Sequence, residues 1–365
     1  MPGLDVLRGL AILAVLLFHG FSSERIAFTA LNNPFLATFW RLTTLGVLGV
    51  HLFFVLSGFL ITGILLDSRT KEDYYRGFFL RRVLRIAPAY LLMLIVLKLT
   101  HVIDWPYLLV CLAYLANVCS VFHVRPLYGP LWSLSVEEQF YITWPFLVKK
   151  LSNRGLLRLS IAIIVLTPLL RIGLSFGPHL ISDWPHKTWG VADFFAAGAI
   201  LALATRTAWL AEWMRKAAVP LIVLGAILAF VDVWIPASTG PVVFIVRRCL
   251  ALEPYLLLWT GAVWMAYLKP GIAGFRVLRP LIFLADISYG LYLYHQFIFT
   301  KIEDHWVMPQ GTPGANVTFL VLRFLVEQSL SIADAWVSRR TLEAFFLRMK
   351  PKRKDAAELA PASSL

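Results

Sequence analysis

Residues 4–20 read LDVLRGLAILAVLLFHG, and after Asp5 the only ionisable side chains in this run are Arg8 and His19. A stretch of this length and apolarity crosses the roughly 30 Å hydrocarbon core of a bilayer as one helix. Ionisable groups at such depth cost about 2.5–3.5 kcal/mol on insertion scales, so they usually face a protein interior and mark function. Eleven residues at 100° each return His19 to within about 20° of Arg8 on the helix face, roughly 16 Å further along the axis. The two are therefore expected to line one wall of a shared interior path at different depths. Asp5, one turn before Arg8, is placed to pair with it. The plainer alternative is an interfacial ion pair between Asp5 and Arg8, with His19 packing at the opposite water interface.

The same pattern recurs along the chain. Of its 365 residues, 59% are hydrophobic and 15% charged, and the mean hydropathy is +0.73. That composition excludes a soluble globular domain and predicts an all-α integral membrane protein. Apolar stretches long enough to cross begin near Leu4, Leu45, Leu84, Phe140, Leu156, Val191, Ala217, Leu250, Pro280 and Val317, and the stretch from Pro106 to Phe122 is ambiguous. Basic clusters fall at Arg69 to Arg85, Lys149 to Arg158, Arg206 to Lys216, Lys269 to Arg279 and Arg339 to Lys354. If all five are cytoplasmic, an even number of spans must separate neighbouring clusters. Residues 106–122 carry Asn117 and lie between Pro106 and Pro126, so they are read as re-entrant or interfacial.

This leaves about ten transmembrane helices, with a membrane domain over residues 1–338 and a basic, partly disordered cytoplasmic tail over residues 339–365. Both termini are expected in the cytoplasm, and the first span reads as retained rather than cleaved. The net charge of +13 then reports orientation and attraction to the lipid bilayer. No nucleic-acid partner is read. Cys111, Cys119 and Cys249 lack ligand spacing, and no metal is expected.

Three further segments carry chemistry. In YYRGFFLRRVLRIAPAYLL (residues 74–92), Arg76, Arg81, Arg82 and Arg85 gather at the start of a span, with Arg82 and Arg85 one turn apart. Guanidinium groups match phosphate oxygens two-pronged, which suits a nucleotide-bearing donor, although such arginines can serve orientation alone. In PLYGPLWSLSVEEQFYITWPFLV (residues 126–148), placed outside, Glu137 and Glu138 are adjacent acids at the rim of the membrane interior. Ser135 and Glu138 have capping-box spacing, which would start the helix there and account for Glu138 but not Glu137. In ADISYGLYLYHQ (residues 285–296), Tyr289, Tyr292 and Tyr294 read as anchors or core hydrogen-bonders, and His295 as a secondary candidate. Ser57 and Gly58, in the glycine-rich second span, read as small residues for close helix packing.

Together and in this order, LDVLRGLAILAVLLFH, GVLGVHLFFVLSGFLI, FLRRVLRIAPAY, PLWSLSVEEQFY, DFFAAGAILA and ISYGLYLYH resemble acyltransferase family 3, which includes bacterial O-acetyltransferases of envelope glycans. The resemblance implies that Arg8 and His19 are the family's essential arginine and histidine. It implies that Arg82 and Arg85, with Arg81 beside them, form the arginine motif for the acyl-CoA donor. Glu137 and Glu138, which lie in a family motif, are read with Arg8 and His19 as catalytic candidates, one acid being placed for proton transfer. The chain departs from the pattern at His51 and Phe345, and it lacks the arginine often found just before the acid matched by Asp193.

The function so implied is a multi-pass inner-membrane O-acyltransferase. It would move an acyl group, expected to be acetyl, from acetyl-CoA to a hydroxyl of a sugar in an envelope polysaccharide, lipopolysaccharide or lipid-linked precursor. His19 would act as general base and Arg8 would orient the donor or stabilise the oxyanion. Trp132 and Tyr128 are expected to offer flat faces to a carbohydrate or glycolipid acceptor. The alternatives are acylation of a small cytoplasmic metabolite and, in a different class, a proton-coupled transporter.

Overall fold

A computed structural model describes residues 1–22, 24, 28, 32–175, 186–234, 250–306 and 313–349. Cys249 and tail residues 350–365 lie outside them. Among the described residues every regular element is helical: α1 (Pro2–Phe21), α2 (Pro34–Thr44), α3 (Leu48–Ser68), α4 (Tyr74–Leu99), α5 (Trp105–Leu112), α6 (Leu131–Lys150) and α7 (Asn153–Ser175). There follow α8 (Thr188–Ala204), α9 (Ala208–Trp234), α10 (Glu253–Leu268), α11 (Arg279–Asp286), α12 (Ser288–His305), α13 (Pro313–Ser338) and α14 (Ala344–Arg348). A π-helical turn, Arg339–Glu343, joins the last two, so the chain continues helical past residue 338.

Five helices among the described residues are long and apolar enough to cross a membrane: Pro2–Phe21, Pro34–Ser68, Asn153–Leu174, Ala208–Val231 and Asn316–Arg348. Arg276–Asp286 and Ser288–His305, bent by 74°, make a sixth if they form one broken span. The tally falls short of the ten read from hydropathy for physical reasons. The 26-residue α4 and the 20-residue α6 have the length, but Arg76, Arg81, Arg82, Arg85 and Lys98 punctuate one, and Glu137 and Glu138 the other. The apolar α8 has only 17 residues and α10 only 16. Residues 106–122 form the eight-residue α5, about 12 Å long, and a 3-10 run over Ala116–Phe122. Neither piece spans a bilayer. Buried Asn117 there donates to Thr188 Oγ1 at 2.9 Å and accepts from Gln139 Nε2 at 2.9 Å, tying the segment to α8 and α6.

The bundle closes around α3, where small residues let backbones touch. A Cβ on Gly58 would lie 2.2 Å from the Phe195 carbonyl oxygen of α8, and one on Gly198 the same distance from the Val55 carbonyl of α3. Such reciprocal contact gains dispersion energy where lipid offers no hydrophobic driving force. Across the same bundle, Arg171 of α7 donates to Asp193 of α8 and Glu253 of α10, each at 2.5 Å, and to the Gly190 carbonyl at 2.8 Å. Arg171 therefore supplies, from another helix, a guanidinium for Asp193 that the neighbouring sequence does not.

Candidate active site

The site is built where α1, α3, α4, α6 and α12 face one another. Arg8, Ser57, Arg82, Arg85, Glu137, Glu138, Tyr141, Tyr289 and Tyr292 line a cavity of about 230 Å³ whose remaining wall is mostly apolar. A second cavity of about 510 Å³ is lined by Asp5, Arg8, Arg85, Asp286, Ser288, Tyr289, Arg339 and Glu343. The two share Arg8, Arg85, Ser288 and Tyr289, so they adjoin there.

Within the first cavity, Glu137 accepts hydrogen bonds from the Ser57 and Tyr141 hydroxyls. The Arg82 guanidinium lies 4.9 Å from the centre of the Tyr141 ring, a cation–π placement. Ser133 and Tyr292 share a hydrogen bond at 2.5 Å, and Tyr289 donates to the Ile86 carbonyl at 2.8 Å, fixing two tyrosines of α12 on the wall. Arg8 pairs with Asp5 at 3.2 Å and remains about a quarter exposed. Three guanidinium groups thus meet two carboxylates in a recess whose remaining wall is mostly apolar. Fixed charge acts more strongly there than in bulk solvent.

Several placements differ from the sequence reading. Arg82 and Glu137, expected on opposite sides of the membrane, line one cavity. Each lies about two turns inside its helix, which carries both toward the middle of the bundle. The capping box is not formed: α6 begins at Leu131, and Ser135 Oγ donates to the Leu131 carbonyl at 2.9 Å and accepts from the Ala116 amide at 3.2 Å. Glu138 is consequently a mid-helix acid that opens onto the cavity. Tyr128 is buried, donating to the Leu293 carbonyl at 2.7 Å and accepting from the Phe297 amide at 3.1 Å, so it is a cross-link and not a platform for a sugar. Trp132 is half-buried against His186 and Phe54. Arg81 lines neither cavity and lies beside Gly77 on its own helix.

His19 also lines neither cavity. At its level on α1 the facing helix α12 fills the space with His295, the ring centroids 4.8 Å apart. His19 Nδ1 lies 3.0 Å from the Val15 carbonyl and 3.2 Å from His295 Nε2. The sequence reading missed Ser57 as a site residue and held His295 as a secondary candidate without its partner. Ser57 resembles any small packing residue until Glu137 is placed beside it. His295 was visible in YLYH, but its partner 276 positions away was not.

A profile described as an acyltransferase domain matches residues 1–329. The chain is 25% identical over 397 residues to O-acetyltransferase OatA of Staphylococcus aureus strain MRSA252, and 26% identical over the same length to that of strain NCTC 8325 / PS 47. Both alignments cover 98% of this chain and 60% of the relative, so the chain spans somewhat over half the length of these proteins. Peptidoglycan O-acetyltransferase OatA of Listeria monocytogenes EGD-e is 34% identical over 165 residues, covering 40% of this chain and 24% of that one. No solved structure matches the chain. The family profile runs through every residue that lines the two cavities except Arg339, Glu343 and Leu347, and the chain belongs to the acyltransferase 3 family.

Proposed function

We propose that this chain is a membrane O-acyltransferase that moves an acetyl group from acetyl-CoA to a sugar hydroxyl of an envelope glycan, with peptidoglycan or its lipid-linked precursor as the acceptor class. The observation that carries the reading is the meeting of two cavities at Arg8 and Arg85. The wider one, with Arg85 and Arg339 on its wall, suits the phosphates of the donor, and the narrower, mostly apolar one suits its acyl-bearing arm. The names of the relatives supply the acceptor class.

In this mechanism Arg82 and Arg85 hold the donor's phosphates and Arg8 orients its extended arm, which carries the thioester on toward His19. His19, roughly 16 Å beyond Arg8 along α1, takes the proton from the acceptor hydroxyl. The oxygen attacks the thioester carbon, the C–S bond breaks, and the thiolate leaves with the proton that His19 returns. Glu137, held by Ser57 and Tyr141, balances the charge of Arg82. The basic clusters support ten crossings of a cytoplasmic membrane with both termini inside.

Proteoliposomes of known orientation test the reading. Acetyl-CoA supplied on the Arg82 side should release free thiol and acetylate a muropeptide-bearing lipid whose sugar faces the other side. His19→Ala should cut this rate about 10²–10⁴-fold at unchanged expression. Acetylation only of acceptors sharing the donor's face would overturn the transmembrane route. Wild-type turnover by His19→Ala would remove the base.

A further inference from the structure

Helix α12 carries a second histidine that neither the donor nor the acceptor motif accounts for. His295 is wholly buried, and both of its ring nitrogens have partners. Its Nδ1 lies 3.0 Å from the Leu291 carbonyl. A carbonyl oxygen only accepts, so Nδ1 carries the proton, and in the neutral ring Nε2 carries the lone pair. That lone pair lies 3.2 Å from His19 Nδ1, which is itself 3.0 Å from the Val15 carbonyl and by the same argument holds its proton. The Nδ1 proton of His19 is shared between two acceptors, and the proton-free nitrogen of His19 is Nε2. Among the described residues nothing hydrogen-bonds to that nitrogen.

We propose that His295 is a positioning residue for the acyl transfer: it holds His19 in the tautomer whose Nε2 is bare and strengthens that nitrogen as a base. The inference rests on the reading of His19 as the base. When Nε2 takes the acceptor's proton, the new positive charge is spread over the His19 ring, and Nδ1–H becomes a stronger donor. The hydrogen bond to His295 Nε2 strengthens at that moment and weakens again when Nε2 passes the proton to the departing thiolate. An orienting carboxylate does this for the histidine of a serine hydrolase. Here a neutral imidazole does it, so no further charge is placed in a region where charge is costly. The ring of His295 is kept in register edge-on by Phe299, with centroids 5.6 Å apart.

The test compares His295→Gln, whose amide oxygen can accept in place of Nε2, with His295→Phe, which fills the space and accepts nothing. His295→Phe should lose about tenfold or more in kcat with KM for acetyl-CoA and for acceptor nearly unchanged, and His295→Gln should regain most of that loss. Nitrogen-15 NMR of histidine-labelled protein in nanodiscs, taken where both rings are neutral, should show His19 protonated at Nδ1 and bare at Nε2. Equal impairment of both variants, in step with loss of thermal stability, would mean that His295 only packs. A His19 found protonated at Nε2 would also overturn the proposal. Full activity in His295→Phe beside an inactive His19→Ala would refute the role of His295 while leaving His19 as base. An active His19→Ala would remove both.

Discussion

Arg171 and Arg82 both sit among apolar helices, yet their surroundings are built on different terms. Arg171 is wholly buried and lies between Asp193 and Glu253, with a backbone carbonyl at Nε. It joins α7, α8 and α10, and its guanidinium is used up. Arg82 faces a cavity that Arg8, Arg85, Glu137 and Glu138 also line, and its guanidinium carbon lies 4.9 Å from the centre of the Tyr141 ring. Its donors are held in place without being spent. The lesson is that an ionisable residue in a span marks function only when its hydrogen-bonding capacity is left open. A saturated one marks a joint between helices.

The comparison can be broken most forcefully at the joint. Arg171→Met removes one partner of a buried cluster and strands two carboxylates, which should cost about 3–5 kcal/mol. The check is thermal unfolding in detergent, where this variant should lose folded protein while whatever remains folded keeps its turnover per molecule. Normal stability with lost turnover would move Arg171 into the working site. At the open cluster the effect should be smaller and of another kind. Arg82→Ala should leave folding intact and weaken acetyl-CoA binding by about 1.5–3 kcal/mol, one charged hydrogen bond, measured by calorimetry. Loss of stability without loss of affinity would make Arg82 a second joint. The smallest effect is expected at Tyr128→Phe. This change removes a hydroxyl that bridges α12 to the loop before α6 and should cost about 1 kcal/mol of stability. Acceptor KM should not move, and a raised KM would restore Tyr128 as a carbohydrate contact.

Composition and periodicity sufficed for the helical membrane class and for the motifs, because long apolar runs and their rare charged interruptions are local properties of the chain. Gly58 was likewise legible as a packing residue, since a missing side chain among large ones has few other uses in lipid. The start of α6 was misread because Ser135 has the spacing of a cap whether or not the helix begins there. The sequence cannot show that its hydroxyl is engaged four residues back and by the Ala116 amide. The side of the membrane assigned to a charged motif also proved a coarse guide to its neighbours. Positive charge in loops orients a span but says nothing about how deep a side chain two turns along it will lie.

Residue type and order alone mark the chemically capable groups: Arg8 and His19 on one helix face, the arginines of α4, the acids of α6. Those follow from residue type and from 100° per residue, which hold before any helix meets another. The packing of the helices sets which of them meet. It set Arg82 against Glu137, gave Asp193 its arginine from a different helix, and placed His295 against His19. The reason is that contacts between residues 276 positions apart depend on how whole helices pack, and that packing is fixed by small residues and buried polar partners spread over the entire bundle.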